Sequence, residues 1–383
     1  MGSVLNLMAF MVFAQSLFMR SVDPVIPQIA LNLSVETTTA ALLSTAFTLP
    51  YALVQPVLGA LADVFSKARL VAICMVTGGL TAIACGFVND FDTLMVLRVL
   101  AGMTSGGTFP IIFALVGDRV PVSERQVAFG KLLFAAMTGN LLGASGAGVI
   151  GDLLGWRGVF FATGGFALLA VAVAGPRLLS IQEAPRNLDL SSIVPNYRAV
   201  LSNPLAKYCF GTVFVEAIFL FGVLPYMAGL LQTEGEPRAS IAGIVIAGFG
   251  VGAIIYTALV SRLLSVIGER RLMAAGGMTM AFCLVVIALR MPWPVEFLNF
   301  VLLGFGFYLL HGCVQVHVTE LAPAARGSAM AGHSAFFFLG QAVGPVVYGL
   351  GLSSGVGLTP VLLSGAVLLT VTGWLCSFRL RRA

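Results

Sequence analysis

Only 16 of the 383 residues are acidic, and one of them stands in an unexpected place. Glu216 lies in Phe214-Val-Glu-Ala-Ile-Phe-Leu-Phe221, a run with no other charge. A bare carboxylate is costly away from water, so a carboxyl there must pair with something or take up and release a proton. Either role suits proton coupling or cation binding. Arg20 and Asp23 are three apart and can meet as a helical ion pair; Asp23 is the second carboxyl able to take up a proton. Arg98 sits in Leu94-Met-Val-Leu-Arg-Val-Leu100, again without a charged neighbour. Of the three histidines, His311 and His317 flank Gln315. Their spacing of six is not the i,i+4 spacing of two helical metal ligands, and no acidic cluster accompanies them, so no metal site is expected. Imidazole titrates near neutral pH and can join a proton cycle; lining a cavity or making an ordinary hydrogen bond is the alternative. His333 carries the least weight of the three. No Gly-x-x-x-x-Gly-Lys-Ser/Thr loop is present to hold a nucleotide, and no Ser/His/Asp arrangement has convincing spacing, so neither direct ATP use nor enzymatic catalysis is expected. The six cysteines, Cys74, Cys85, Cys209, Cys283, Cys313 and Cys376, lie in apolar stretches without metal or redox spacing and read as small buried hydrophobes.

The elements that hold these residues follow from composition. Apolar residues make up 58% of the chain, charged residues 10%, and the mean hydropathy is +1.00. Soluble domains carry about a quarter charged residues, so most side chains here face something other than water. Apolar runs between polar punctuation predict twelve membrane-spanning helices, near 4–22, 39–62, 70–88, 92–117, 130–153, 157–175, 205–228, 239–264, 271–290, 294–318, 327–352 and 357–378. Nothing positive precedes the run from Val4 to Met19 and no small-residue cleavage site precedes Asp23, so the first span is expected to be retained. The one long polar stretch, 176–204, reads as a cytoplasmic linker between an N-terminal bundle, 1–175, and a C-terminal bundle, 205–383.

Basic residues set the expected orientation. With both termini cytoplasmic, 16 of the 21 Lys and Arg residues fall on the cytoplasmic side, Arg20, Arg157, Arg238 and Arg290 on the other, and Arg98 within a span. The net charge of +5 is then a topology signal. It is scattered over short loops, which argues against a nucleic-acid partner.

The chain also aligns with itself at an offset of about 201 residues. Asp118-Arg-Val-Pro121 and Arg125 match Glu320-Leu-Ala-Pro323 and Arg326. Gly139, Gly143 and Gly148 match Gly340, Gly344 and Gly349, and Ser66-Lys-Ala-Arg-Leu70 matches Gly268-Glu-Arg-Arg-Leu272. This describes an all-α membrane protein with two pseudo-symmetric six-helix bundles, a parallel repeat of the kind that forms substrate sites near the midplane.

Three segments carry a family resemblance. Gly59-Ala-Leu-Ala-Asp63 with Lys67 and Arg69 resembles the loop signature between helices two and three of the major facilitator superfamily. Arg98-Val-Leu-Ala-Gly102 is similar to its fourth-helix motif. Gly139-Asn-Leu-Leu-Gly-Ala-Ser-Gly-Ala-Gly148, followed by Trp156-Arg157, resembles the fifth-helix motif of the drug/proton antiporter-like branch. Val64, Ser66 and Ala144 depart from these patterns at positions usually held by Arg, Gly and Pro; span eleven carries the pair Gly344-Pro345. The resemblance implies a gating role for Gly59, Asp63, Lys67 and Arg69, and a proton-transfer role for Arg98 beside Arg20 and Asp23. Asp63 alone, judged by spacing, is an ordinary boundary acid. The small-residue faces at Gly139, Gly143, Gly148, Gly344 and Pro345 serve either as a seal that opens as the halves rock or as plain helix packing.

The remaining polar and aromatic candidates for substrate contact are Gln15, Tyr51, Gln55, Asn140, Phe219, Tyr226, Asn299, Tyr308 and His311. Few polar groups in an apolar wall suit a hydrophobic or amphipathic solute, and no paired basic residues suggest a phosphate ester or dicarboxylate. The expectation is therefore a secondary transporter of a small molecule, exporting a hydrophobic or amphipathic compound against protons. It would act as a monomer in the bacterial inner membrane, driven by the proton gradient without a cofactor. Proton-coupled uptake of a sugar or organic acid is the alternative, and a membrane sensor that has lost transport the third reading.

Overall fold

In lipid the backbone must satisfy its own hydrogen bonds, which makes helices of the apolar runs; the joints fall where capping residues, prolines and glycines occur. The computed structural model describes residues 2–180 and 193–380; within the helices, the side chains of residues 2, 3, 59, 60, 63, 64, 122, 123, 126 and 193 lie outside that description. The first half contains α1 (Gly2–Met19), a 3₁₀ turn (Asp23–Val25), α2 (Ile26–Asn32), α3 (Thr37–Val64), α4 (Lys67–Gly86), α5 (Phe91–Ser105), α6 (Thr108–Arg119) and α7 (Val122–Leu179). After α8 (Ile193–Ser202) come α9 (Ala206–Glu216), a π turn (Ala217–Phe221), α10 (Leu224–Thr233), α11 (Ala239–Ile267), α12 (Glu269–Ala288) and α13 (Trp293–Glu320). A second 3₁₀ turn (Pro323–Ala325) leads to α14 (Arg326–Ser353) and α15 (Leu358–Arg379). No strand occurs among the described residues.

Local chemistry explains several boundaries. The Ser66 hydroxyl accepts from the Arg69 N–H and starts α4; the Asp90 carboxylate accepts from the Thr93 N–H at 2.8 Å and starts α5. Eleven helical stretches among the described residues are long and apolar enough to cross a bilayer. The longest, Val127–Leu179, has 53 residues, about 80 Å at 1.5 Å per residue against about 30 Å of hydrocarbon. It is divided at Gly155, whose φ of 70° favours glycine. It thus supplies two crossings, the fifth and sixth, and the expected twelve are reached.

Two details differ from the sequence expectation. The stretch expected as a linker, 176–204, opens with the last helical turn of α7 and contains α8, with residues 181–192 outside the description. Spans one and seven are each broken rather than continuous, at corresponding places: α1 stops at Met19 ahead of Pro24, and α9 gives way to a π turn ahead of Pro225. Proline offers no N–H to the ladder and crowds the preceding turn, and these two prolines are 201 residues apart.

The chain divides into two compact units, Met1–Leu188 with Arg238–Gly243, and Asp189–Pro237 with Ile244–Ala383. In the first, α7 packs on α1 and α4 around a core that includes Met8, Met11, Met75, Ile112, Leu115 and Leu132. In the second, α12 packs on α13 and α15, and α14 on α9. All six cysteines are buried as thiols, as expected. Large apolar side chains such as Val127, Leu153, Leu154 and Trp374 remain on the outside, where lipid replaces water.

The duplication holds at the level of individual contacts. A Cβ on Gly139 would meet the Phe13 carbonyl and Ser16 Cβ; one on Gly340 would meet the Phe214 carbonyl and Ala217 Cβ. Gly143 lies against the Leu17 carbonyl, and Gly344 against that of Ile218. Each pair is related by 201 residues. The glycines of spans five and eleven therefore let span one and span seven, respectively, approach closely inside each unit.

Candidate functional site

The repeat places Gln15 of span one and Glu216 of span seven at equivalent positions. Glu216 is the last residue of α9, immediately before the π turn. Such turns occur often at functional sites. Its side chain is fully buried. Glu216 Oε2 lies 2.9 Å from His311 Nδ1 of α13, a distance that fits a hydrogen bond with either atom as donor, while Glu216 Oε1 has no hydrogen-bond partner among the described residues. Phe307 stacks on the His311 ring at 4.4 Å between centroids, and Phe337 packs on it at 5.2 Å. Phe221 reaches both of these phenylalanines, closing an apolar wall. One proton added to the Glu216 carboxylate beside a neutral His311 brings the pair to zero net charge, which matters where charge is poorly solvated. His333 of α14 completes the group, its ring 4.9 Å from that of His311.

His311, expected among the substrate contacts, is thus the partner of Glu216, and His333, given the least weight from sequence, is its neighbour. His317 turns elsewhere, with Nε2 3.1 Å from Glu269 Oε1 at the start of α12. No group of three metal-ligating side chains forms among the described residues.

In the first unit a second buried cluster surrounds the break in span one. Arg20 Nη1 lies 3.6 Å from Asp23 Oδ2, so these two pair as i,i+3 neighbours. Asp23 Oδ1 also accepts from the Ser44 hydroxyl at 2.7 Å. Arg98 is 1% exposed; its Nε donates to the Leu43 carbonyl at 3.2 Å, and its guanidinium lies over the rings of Phe47, at 4.5 Å, and Phe18, at 5.3 Å. Asp23 is close enough to interact with that charge. The three residues expected to act together do stand together, with aromatic faces helping to hold the cation.

At the opposite end of this unit, Lys67 is buried and pairs with Asp118 at 3.2 Å, joining the start of α4 to the last turn of α6. Arg69 is exposed, and its backbone N–H completes the cap on Ser66. Gly59 and Asp63 fall in the last turns of α3, and their side chains lie outside the described residues. The Arg125 Nε donates to the Val120 carbonyl, and its repeat mate Arg326 donates to that of Thr319, so each arginine bonds back to the chain just before it, at different points of the two loops. Gly148 lies against the Ala239 carbonyl, and Asp152, one turn later, accepts from the N–H groups of Ala239 and Ser240 at 2.8 and 2.9 Å. Asp152 carried no sequence signal, since its partners are 87 and 88 residues away.

The proposed substrate contacts separate into two kinds. Tyr226 donates to the Pro345 carbonyl at 2.7 Å, Asn299 Nδ2 donates to Cys283 O and Glu296 Oε2, and Phe219 packs against Gly365. These serve helix packing. Tyr308 stacks on Tyr256. Tyr51, bonded to Gln55, stacks on Phe47. Gln15 Nε2 and Asn140 Oδ1 are buried and have no hydrogen-bond partner among the described residues, leaving one donor and one acceptor unused there.

An all-helical chain duplicated into two six-span units, with ionisable groups buried inside the spans, has the architecture of a secondary transporter. The chain belongs to the Major Facilitator Superfamily, whose family model matches residues 8–237 and 209–383. It is accordingly a multi-pass membrane transporter and not an enzyme. It is 22% identical to Multidrug resistance protein 1 of Bacillus subtilis (strain 168) over 330 residues, covering 86% of this chain and 84% of that protein. It is 22% identical to the Quinolone resistance protein NorA of Staphylococcus aureus (strain Mu50) over 357 residues, covering 91% and 90%. Among solved structures, the D-xylose-proton symporter superposes with a TM-score of 0.77 at 15% identity, covering 98% of this chain and 97% of that one. A bacterial homologue of the lysosomal transporter Spinster gives 0.73 at 16%, covering 98% and 93%.

Proposed function

We propose that this transporter exports a hydrophobic or amphipathic small molecule in exchange for protons, by alternating access, with Glu216 as the titrating group. The observation that carries this reading is the buried Glu216–His311 hydrogen bond within the membrane span, with Glu216 Oε1 left unpartnered. Uptake of one proton from one side and release to the other, alternating with the solute, is the simplest use of such a pair. Arg20, Asp23 and Arg98 form the second ionisable cluster and serve proton access. Gln15 and Asn140, with their unused donor and acceptor, suit the few polar groups of an amphipathic solute. Resistance proteins among the relatives support export of drug-like compounds. Both termini are cytoplasmic in this proposal, residues 176–204 link the two bundles, and Lys67–Asp118 with Gly59, Asp63 and Arg69 acts in gating. The transporter works as a monomer in a bacterial inner membrane, with no cofactor beyond the proton gradient.

Everted membrane vesicles test the direction. With the lumen made acidic, a fluorescent quinolone or ethidium is expected to accumulate inside, and collapsing the gradient with a protonophore should release it. Accumulation only when the outside is acidic would show uptake instead and overturn the proposal.

A further inference from the structure

The three histidines of this chain all lie in the second unit, and two of them stand in a stepwise order with Glu216. Three helix ends meet at one end of this unit: the start of α9 at Ala206, the end of α13 at Glu320 and the start of α14 at Arg326. The Asn203 side chain ties the loops together there by donating to the Leu321 carbonyl at 2.8 Å. Counted from that end at 1.5 Å per residue, His333 is about 10 Å deep, His311 about 14 Å and Glu216 about 15 Å. Depth thus falls in the order Glu216, His311, His333. Glu216 and His311 share a hydrogen bond at 2.9 Å, and the His311 and His333 rings touch at 4.9 Å between centroids with 63° between planes. His333 is 3% exposed, and its Nε2 has no hydrogen-bond partner among the described residues. A buried imidazole nitrogen left unbonded in a tightly packed helix interface calls for an explanation.

We propose that His333 carries the proton of Glu216 to and from the Arg326 end of the unit, with His311 as the intermediate. The proposal rests on the reading of Glu216 as the titrating group and adds the route. Imidazole suits it because one ring nitrogen accepts a proton as the other gives one up. In the releasing step the O–H bond of Glu216 breaks as the Nδ1–H bond of His311 forms. His311 then releases the proton from Nε2 to His333, which passes it to water. His311 is then protonated on Nδ1 in place of Nε2; tautomer exchange through water returns that proton to Nε2, and once Glu216 is reloaded from the other side no net charge is left behind. A small turn of either ring, or one bridging water, closes the gap between the imidazoles. The titratable groups facing the pair are Glu216 from α9, His311 from α13 and Cys376 from α15; Cys376 lies within electrostatic reach of Glu216 and is bonded to Thr212. In the first unit the residues equivalent to Glu216, His311 and His333 are Gln15, Pro110 and Leu132, so the route exists in one half of the repeat.

The test follows hydrogen–deuterium exchange of the Glu216 carboxyl directly, so it needs no solute. The protein in reconstituted bilayers is perfused with heavy water, and the protonated-carboxyl stretch is followed by infrared spectroscopy; the band that Glu216→Gln removes identifies the group. Both His333→Gln and His333→Phe are expected to slow exchange of that band at least tenfold, with the thermal midpoint of whichever variant folds as the control for structure. His317→Gln, at the histidine paired with Glu269, should leave the rate unchanged. Exchange as fast in the His333 variants as in the unaltered protein overturns the route while leaving Glu216 as the titrating group. If Glu216→Gln removes no band at any pH, the titrating group is wrong and the route falls with it.

Discussion

Replacement of Glu216 by glutamine gives the proposed coupling a number. Glutamine keeps the length and shape of the side chain and can still bond His311 Nδ1, now 2.9 Å from the carboxylate, but it carries no titratable proton. A cycle that uses one carboxyl exchanges one proton for one solute molecule. With the membrane potential clamped at zero, a pH difference of one unit is worth about 1.4 kcal/mol, or a tenfold concentration ratio. Two units give about a hundredfold. In proteoliposomes clamped with potassium and valinomycin, the logarithm of the ethidium accumulation ratio should rise with the pH difference at a slope of about one. In Glu216→Gln the slope should be zero, while exchange of labelled for unlabelled solute without a gradient continues. Folding should be little affected, since at most one hydrogen bond of about 1 kcal/mol is altered. A slope near one in the glutamine variant would refute the assignment, and the same measurement on Asp23→Asn would then locate the group.

Gly143→Ala and Gly344→Ala place a Cβ against the Leu17 and Ile218 carbonyls and should each cost about 1–3 kcal/mol of stability through forced separation of the helices. Gly146→Ala, with open space around it, should leave the thermal midpoint unchanged; equal effects at all three would contradict the packing. Lys67→Met removes the ion pair to Asp118 at the end of α6, and a double-mutant cycle with Asp118→Asn is expected to return a coupling of about 1–2 kcal/mol, between exposed and buried pairs. Asp152→Ala frees two N–H groups at the start of α11 and should raise hydrogen exchange at Ala239 and Ser240, at a cost of about 1 kcal/mol. Asp90 is held below the usual carboxylate range by its bond to the Thr93 N–H. A lowered carboxylate stabilises the fold above its unfolded-state value and loses that effect as pH falls through the folded one, so hydrogen exchange in the first turn of α5 should rise on acidification below about pH 4; Asp90→Asn should remove that dependence.

Most of the scaffold is legible in the sequence because lipid enforces a simple rule. A run apolar enough and about 20 residues long becomes a helix, and the repeat offset of 201 then matches Gly143 to Gly344 and Pro24 to Pro225. The breaks beside those prolines are harder to read, since a proline in a membrane helix is tolerated as often as it interrupts. The facing of each side chain is harder still. Spans such as α13 carry apolar residues on every side, so periodicity does not say which side meets a neighbour. This is why Tyr226 and Asn299 read as substrate contacts and His333 as marginal.

The sequence by itself therefore determined the solvent, the number of spans, the duplication and the placing of Glu216 in an uncharged run, all of which depend on composition along the chain. Tertiary structure alone decided what Glu216 meets: His311 is 95 residues away and His333 117, on helices whose rotation is set by packing. It decided equally that Arg98 lies over the rings of Phe18 and Phe47, and that the glycine faces join span five to span one and span eleven to span seven. The cost of burying a charge is written in the local sequence, whereas the partner that offsets it is fixed only when the helices pack.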